Sequence, residues 1–294
     1  MSERASSGRR SSTSLAPSPT RLVRGLAARR RLRRRRVLFA LGVLFLLLCG
    51  GAVYELQQSV VRISTVRIFG ADQSIADIAN AAMQGKYFGL IPRDSTFFFP
   101  ASLIRYDIMA ANPDIAAVSL FRNGFTGLSV KVVNRVPIAL WCGSTFSPPA
   151  ASSTPNTDQC YLFDAKGFLY AQATTSVGAP LNSFIVYESL ASSSSSPVGS
   201  TLPNAQEFPS AFDFARQLAT LGSPVTNVVF RGDEVDDYLE SGTRITYVLG
   251  DEQNAYTALV SAHDNLDLTD GSLEYVDLRF DGKVYVKNKN DSVK

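Results

Sequence analysis

Arg29, Arg30, Arg31, Arg33, Arg34, Arg35 and Arg36 abut residues 37–54, eighteen in a row without a charge, and Glu55 closes the run. A helix of that length rises ~27 Å at ~1.5 Å per residue, enough for a bilayer core of ~30 Å with some local thinning. Arginine-rich flanks stay in the cytoplasm. Residues 1–36 are therefore expected inside, 37–56 as one transmembrane helix, and the remainder outside. A cleaved signal peptide is the competing reading, with Gly50-Gly51-Ala52 as a small-residue cleavage point. The apolar run exceeds the ~7–15 residues of a signal core, however, and the basic region before it is long. Leu46-Leu47-Leu48-Cys49 does not fit a lipoprotein site, because a bulky Leu precedes the Cys. The run is read as an uncleaved anchor.

The net charge of +3 averages two opposite bodies. Residues 1–36 hold twelve Arg and one Glu, a charge of +11, which leaves −8 for the rest. This basic tail has no aromatic residue to stack on bases, so its expected partner is anionic lipid and not nucleic acid. Its Ser and Pro residues leave too little apolar surface for folding, which predicts a disordered tail over 1–36. Cys49 lies in the apolar run. Cys142 and Cys160 bracket a Ser/Pro-rich loop with strand-like flanks and are the disulfide candidate, with two buried thiols as the alternative. A bridge there would contribute about 3 kcal/mol on a chain-entropy estimate.

Two domains are expected beyond the anchor. Over 61–136 a strand at 61–69 places Val66 and Ile68 on one face, and Gly70 ends it. Ser74-Ile75-Ala76-Asp77 fits a capping box, with Ile75, Ile78, Ala79 and Ala82 following at helical spacing. A loop over 85–100 carries the aromatic cluster Tyr87, Phe88, Phe97, Phe98 and Phe99. A second helix from near Pro100 lines up Leu103, Ile104, Ile108 and Ala111, and Pro113 stops it. Two alternating strands follow, with Asn123-Gly124 as the hairpin turn and Leu128, Val130 and Val132 on one face. The order is strand–helix–helix–strand–strand, a compact α+β unit.

Over 137–288 the pattern is richer in strands, at 138–141, 160–164, 168–171, 184–187, 225–230, 237–240 and 244–249. Helices are expected at 209–221 and 254–265. Residues 191–201, with five consecutive serines, read as a mobile surface loop. Asp281-Gly282 between 273–280 and 283–287 predicts a tight type I′ hairpin. Residues 289–294 read as a frayed polar tail. A strand this late, with none after it, is expected at a sheet edge, where a partner strand can pair with it. Lys283 and Lys287 either guard that edge or attract an acidic segment.

The order of parts resembles the FtsQ/DivIB cell-division family. Val66-Arg67-Ile68-Phe69-Gly70 is similar to that family's first POTRA strand. Arg135-Val136-Pro137-Ile138-Ala139-Leu140-Trp141 resembles its join between the POTRA and β domains, and Tyr275-Val276-Asp277-Leu278-Arg279-Phe280 its penultimate strand. Leu239–Gly250 agrees as well. The resemblance implies an α+β architecture: a POTRA domain over 61–136, then a mixed β domain over 137–288 ending in an antiparallel hairpin. It also implies a non-enzymatic, single-pass scaffold of the divisome in the cytoplasmic membrane at the septum. Its partners there would be FtsB/DivIC-like and FtsL-like proteins and, through them, septal peptidoglycan synthases. Carried onto this chain, the partner-binding strand surface is Tyr275, Arg279, Phe280, Gly282, Val284, Tyr285 and Val286. The POTRA unit implies a second docking surface. No cofactor is expected.

Enzyme readings find little support in the residues. The single histidine, His263, has no nucleophile at matching spacing, and no Gly-x-Ser-x-Gly, His-Glu-x-x-His or phosphate-cradling loop is present. A sortase-like enzyme needs His, Cys and Arg in that order, whereas His263 follows both Cys142 and Cys160. One His and two separated Cys do not make a zinc site. Asp233, Glu234, Asp236 and Asp237 lack a full calcium-loop pattern and read as a solvated acidic turn. The remaining alternatives are a POTRA-bearing protein that handles polypeptides in transport or assembly, and an envelope protein without a fixed partner. The first usually has several such units and a β-barrel.

Overall fold

The computed structural model describes residues 20–147, 159–173, 179–191 and 196–292. The chain is α+β, and its contacts divide it into two units. The first comprises residues 1–64, 84–99 and 124–126, and the second 65–83, 100–123 and 127–294.

The first unit is built on α1 (Thr20–Leu56), which contains the one helix segment among the described residues long and apolar enough to cross a membrane. This helix corrects the expected extent of the disordered tail, because residues 20–36 are helical. Arg, Leu and Ala dominate that stretch and are strong helix formers, and extending an existing helix needs no new nucleus. The remainder of the expected tail, residues 1–19, lies outside the described residues. A 3-10 turn (Ser59–Val61) follows α1, then a two-stranded hairpin, β2 (Lys86–Tyr87) and β3 (Ile91–Pro92), inside the stretch expected to be loop. The unit is closed by backbone bonds: Ile63 N–H to Asp94 O at 2.7 Å, Thr96 N–H to Val61 O at 3.0 Å, and Ser64 N–H to Thr126 O at 2.9 Å. These bonds explain why 61–64, 84–99 and 124–126 group with the helix and not with the rest of 61–136. Arg62 and Asp94 add an ion pair at 2.6 Å.

The second unit begins with β1 (Thr65–Phe69), α2 (Ser74–Ala82), α3 (Ala101–Ala111), β4 (Ile115–Asn123) and β5 (Gly127–Asn134). The sheet order is β1-β5-β4, with β1 parallel and β4 antiparallel to β5. Leu128, Val130 and Val132 are buried, as are Ile75, Ala79 and Ala82 of α2 and Ile104 and Ile108 of α3. Gly70 is required where it stands, because a Cβ there would lie 2.5 Å from the Val132 carbonyl. Two local expectations are corrected. Ser74 does not cap α2: the N-cap is Gln73, which makes no side-chain capping bond and is itself in helical conformation. The β4–β5 loop spans three residues, 124–126, so Asn123 stays in β4 and pairs with Gly127.

The larger sheet has nine strands: β6 (Ala139–Trp141), β7 (Tyr161–Phe163), β8 (Leu169–Gln172), β9 (Ile185–Tyr187), β10 (Val225–Arg231), β11 (Glu234–Leu239), β12 (Arg244–Val248), β13 (Leu273–Phe280) and β14 (Lys283–Asn288). Their order is β14-β13-β12-β11-β10-β9-β6-β7-β8. Helices α4 (Phe208–Thr220) and α5 (Glu252–Ala262) pack on it and on each other. Phe208 stacks on Phe212 at 5.0 Å and meets Phe163 and Phe230, each at 5.4 Å, while Phe214 meets Tyr247 at 4.4 Å. Burying each such ring contributes roughly 1.5–3 kcal/mol.

Between β6 and β7, Cys142 and Cys160 are joined as a disulfide with Cα atoms 4.2 Å apart. Most of the Ser/Pro-rich loop that they bracket lies outside the described residues. Peptide mapping of unreduced protein is expected to recover a fragment linking positions 142 and 160; two free thiols at those positions would refute the pairing. Of the serine-rich stretch, 192–195 lie outside the described residues, but 199–201 are not a free loop. Leu169 exchanges backbone bonds with Gly199 and Ser200 at 2.8 and 2.9 Å. Of the expected frayed tail, residues 293 and 294 lie outside the described residues, while a 3-10 turn covers Lys289–Ser292 and Lys289 Nζ donates to Gly271 O at 2.7 Å.

Candidate functional site

The last two strands leave one edge of the large sheet open: β14 ends the strand order and pairs only with β13 among the described residues. The Asp281-Gly282 connection has two residues, as expected, and Gly282 has φ 63°. It is not a type I′ turn, because that type needs a left-handed Asp281 as well, and Phe88 is the only non-glycine residue with positive φ among those described. A bulge between Asp277 and Phe280 alters the local twist that a type I′ turn would otherwise match.

Cross-strand pairing sorts the expected partner-binding residues onto two faces. Tyr285 lies opposite Asp277 and Lys287 opposite Tyr275, so these four share one face. Phe280 meets Tyr285 edge-on at 5.1 Å, and the two rings are 50% and 48% exposed. Val286 lies opposite Val276 and shares the face of Val284, which packs partly against the core beside α5. A groove of ≈ 440 Å³ runs there, lined by Thr257, Ser261 and Ala262 of α5 with Gly282 and Val284 of the hairpin. The seven expected residues are thus a wrapped edge with an aromatic side and an aliphatic side, not one flat patch.

Arg279 has a different setting from its neighbours. Its Nε and Nη2 reach the Asp277 carboxylate at 2.9 and 2.6 Å, and its Nη1 reaches Glu234 at 2.6 Å. These bonds raise the guanidinium pKa and hold the Asp277 carboxyl below its ordinary value, the hydrogen bond between the two being the largest cause for each. Arg279 therefore braces β13 against β11. Lys287 is also occupied, 2.7 Å from Glu274 and 5.9 Å from the Tyr275 ring. Lys283 is exposed at the turn.

The acidic run is a solvated turn only at Asp233. Glu234, Asp236 and Asp237 lie on β11 between β10 and β12, and Asp236 and Asp237 are buried. Asp236 is matched by Thr246 at 2.6 Å and Arg231 at 2.7 Å. Neither carboxylate oxygen of Asp237 has a hydrogen-bond partner in the structure. Burial, then Asp236 and Glu252, push its pKa well above the ordinary value. The signal missed in the sequence was the apolar alternation of Val235, Asp237 and Leu239 with the middle member replaced by a carboxylate.

His263 lies in a 3-10 turn after α5 and not in the helix itself. Among the described residues no group of three or more His, Cys, Asp or Glu is placed to hold a metal ion. No protein-family model matches the chain, and no curated protein matches it.

Proposed function

We propose that this chain is a non-enzymatic, single-pass scaffold of the bacterial divisome of the FtsQ/DivIB type, with α1 as its membrane anchor and the arginine-rich end in the cytoplasm. In this reading β1, α2, α3, β4 and β5 form a POTRA domain within 61–136, and the nine-stranded sheet with α4 and α5 forms the β domain of 137–288. The open edge of β14 carries the reading. An FtsB/DivIC-like segment adds a strand there, satisfying the outward backbone groups, while Phe280 and Tyr285 cover one side of it and Val286 the other. FtsL-like proteins and septal peptidoglycan synthases are recruited through that partner.

The test keeps the fold and changes only the edge. Phe280→Glu and Tyr285→Glu are each expected to weaken capture of the partner by the full-length protein roughly tenfold, as for exposed aromatic anchors at an interface. The circular dichroism of both variants should match the wild type, because both rings are about half exposed. Undiminished capture by the double variant would remove the scaffold surface from β14.

A further inference from the structure

The aromatic loop between the two halves of the first unit has no role in the scaffold reading. In the β2–β3 hairpin Leu90 N–H bonds the Tyr87 carbonyl at 3.0 Å, and both central residues are left-handed, Phe88 at φ 50° and Gly89 at φ 73°. That turn favours Asn or Gly at its first central position, so a phenylalanine there is strained. Its ring is 98% exposed, and folding gains no packing from it. Leu90, next along the tip, is also exposed. Strain kept at an exposed residue points to a contact outside the chain.

The structure indicates what makes that contact. Gln57, the residue after the end of α1, places its side-chain Nε2 3.5 Å from the Leu90 carbonyl. The headgroup regions add ~5–7 Å to each side of the hydrocarbon core, so a residue touching the end of a spanning helix lies inside that layer. The hairpin also has the charge such a layer attracts. Lys86 is exposed, and Arg93 sits 5.2 Å from the Tyr87 ring, joining a cation to an aromatic at the water–lipid boundary. A notch of ≈ 240 Å³ lined by Gln57, Arg62 and Lys86 opens beside the hairpin; Asp94 holds Arg62 there, and the exposed Lys86 supplies the cation for a phosphate headgroup.

We infer that the β2–β3 hairpin docks on the outer leaflet of the membrane that α1 crosses, with Phe88 and Leu90 entering the headgroup–acyl boundary and Lys86 and Arg93 meeting lipid phosphates. The inference rests on α1 as a spanning helix. Its consequence is mechanical: a second attachment fixes the rotation and tilt of the residues that follow the anchor, which one flexible exit point does not.

Tryptophan quenching by brominated acyl chains separates this docking from the span itself. The full-length protein contains one tryptophan, Trp141, buried in the large sheet, so each added tryptophan is read over a constant background. Phe88→Trp and Tyr54→Trp are reconstituted separately into phosphatidylcholine–phosphatidylglycerol bilayers with and without dibrominated chains. For both variants the added emission should fall roughly twofold on bromination, as for rings buried ~5–10 Å into the boundary. Quenching at position 54 without quenching at 88 overturns the docking, leaves the span standing and assigns the turn tip to another protein. No quenching at either position overturns the span and the docking together.

Discussion

Replacing Arg135 with Ala is expected to destabilise the second unit by about 3 kcal/mol, which lowers its unfolding midpoint by roughly 6–12 °C. Arg135 directly follows β5, and its backbone N–H reaches the Asp114 carbonyl at 2.7 Å. Its Nε donates to the Pro113 carbonyl at 2.9 Å, its Nη1 pairs with Asp164, and its guanidinium lies 4.0 Å from the Phe168 ring centre. Both charged side chains are only 12% exposed. Removing the cation leaves Asp164 buried without its counter-ion, a loss of about 3–5 kcal/mol in comparable pairs. The backbone N–H groups of Lys166 and Phe168 still bond Asp164 Oδ1 at 2.9 and 3.1 Å, which places the expected loss at the lower end. Arg135→Lys keeps the charge but cannot reach Pro113, Asp164 and the ring together, so it should recover only part of the loss. Thermal unfolding of wild type, both variants and Asp164→Ala, read as a double-mutant cycle, measures the coupling. A coupling below about 1 kcal/mol would place this pair among ordinary surface bridges.

Much of this architecture was legible because the sequence repeats its local signals. Val225–Arg231, Arg244–Val248 and Leu273–Phe280 alternate or run apolar with β-branched residues, and each forms its strand within a residue or so of expectation. Proline at the start of α4 and glycine after its end bounded that helix equally well. What failed were features decided by tertiary partners. The Ser74 capping box lost to a start one residue earlier, where Gln73 turns its side chain toward the Val66 carbonyl at 3.5 Å. Residues on both sides of the boundary expected at 136/137 fall in the second unit, and Arg135 pairs with Asp164 across it.

The candidate edge was legible as a position but not as a surface. That β14 ends the sheet follows from chain order and turn chemistry. Which of its side chains face a partner depends on the bulge between Asp277 and Phe280, which brings Phe280 onto the side of Tyr285, and no periodicity reports a bulge. The family resemblance alone places Arg279 on the partner surface. Its carboxylate partner on β11 is 45 residues away in sequence, beyond the reach of any local pattern.

Asp237→Asn is expected to stabilise the second unit above neutral pH, because the neutral amide carries no ionisation cost at a buried site where only like charges bear on it. Asp237 is fully buried on β11, and the charges that bear on it, Asp236 and Glu252, have its own sign. The Tyr247 hydroxyl, buried on the adjacent strand, is also without a hydrogen-bond partner in the structure. Because the folded protein raises the pKa of Asp237, it binds a proton that the unfolded chain has released. The stabilisation is complete below the unfolded value and disappears as pH rises through the folded one. Glu188 acts with the same sign in a narrower window. Burial pushes it from 4.5 to about 7, against the Asn204 N–H that bonds its carboxylate at 2.9 Å. Unfolding free energy should therefore fall as pH increases from about 4.5 to about 7 through Glu188, with Asp237 adding to the fall from its own unfolded value upward. Chemical denaturation between pH 4 and 9 separates the two groups. Glu188→Gln should remove the part of the slope between about 4.5 and about 7, Asp237→Asn the part that starts at its lower unfolded value and runs up through its raised folded one, and the double variant should be close to level. A wild-type stability that rises with pH across this range would mean that both carboxyls are ionised and matched in the folded protein, the reverse of what their burial dictates.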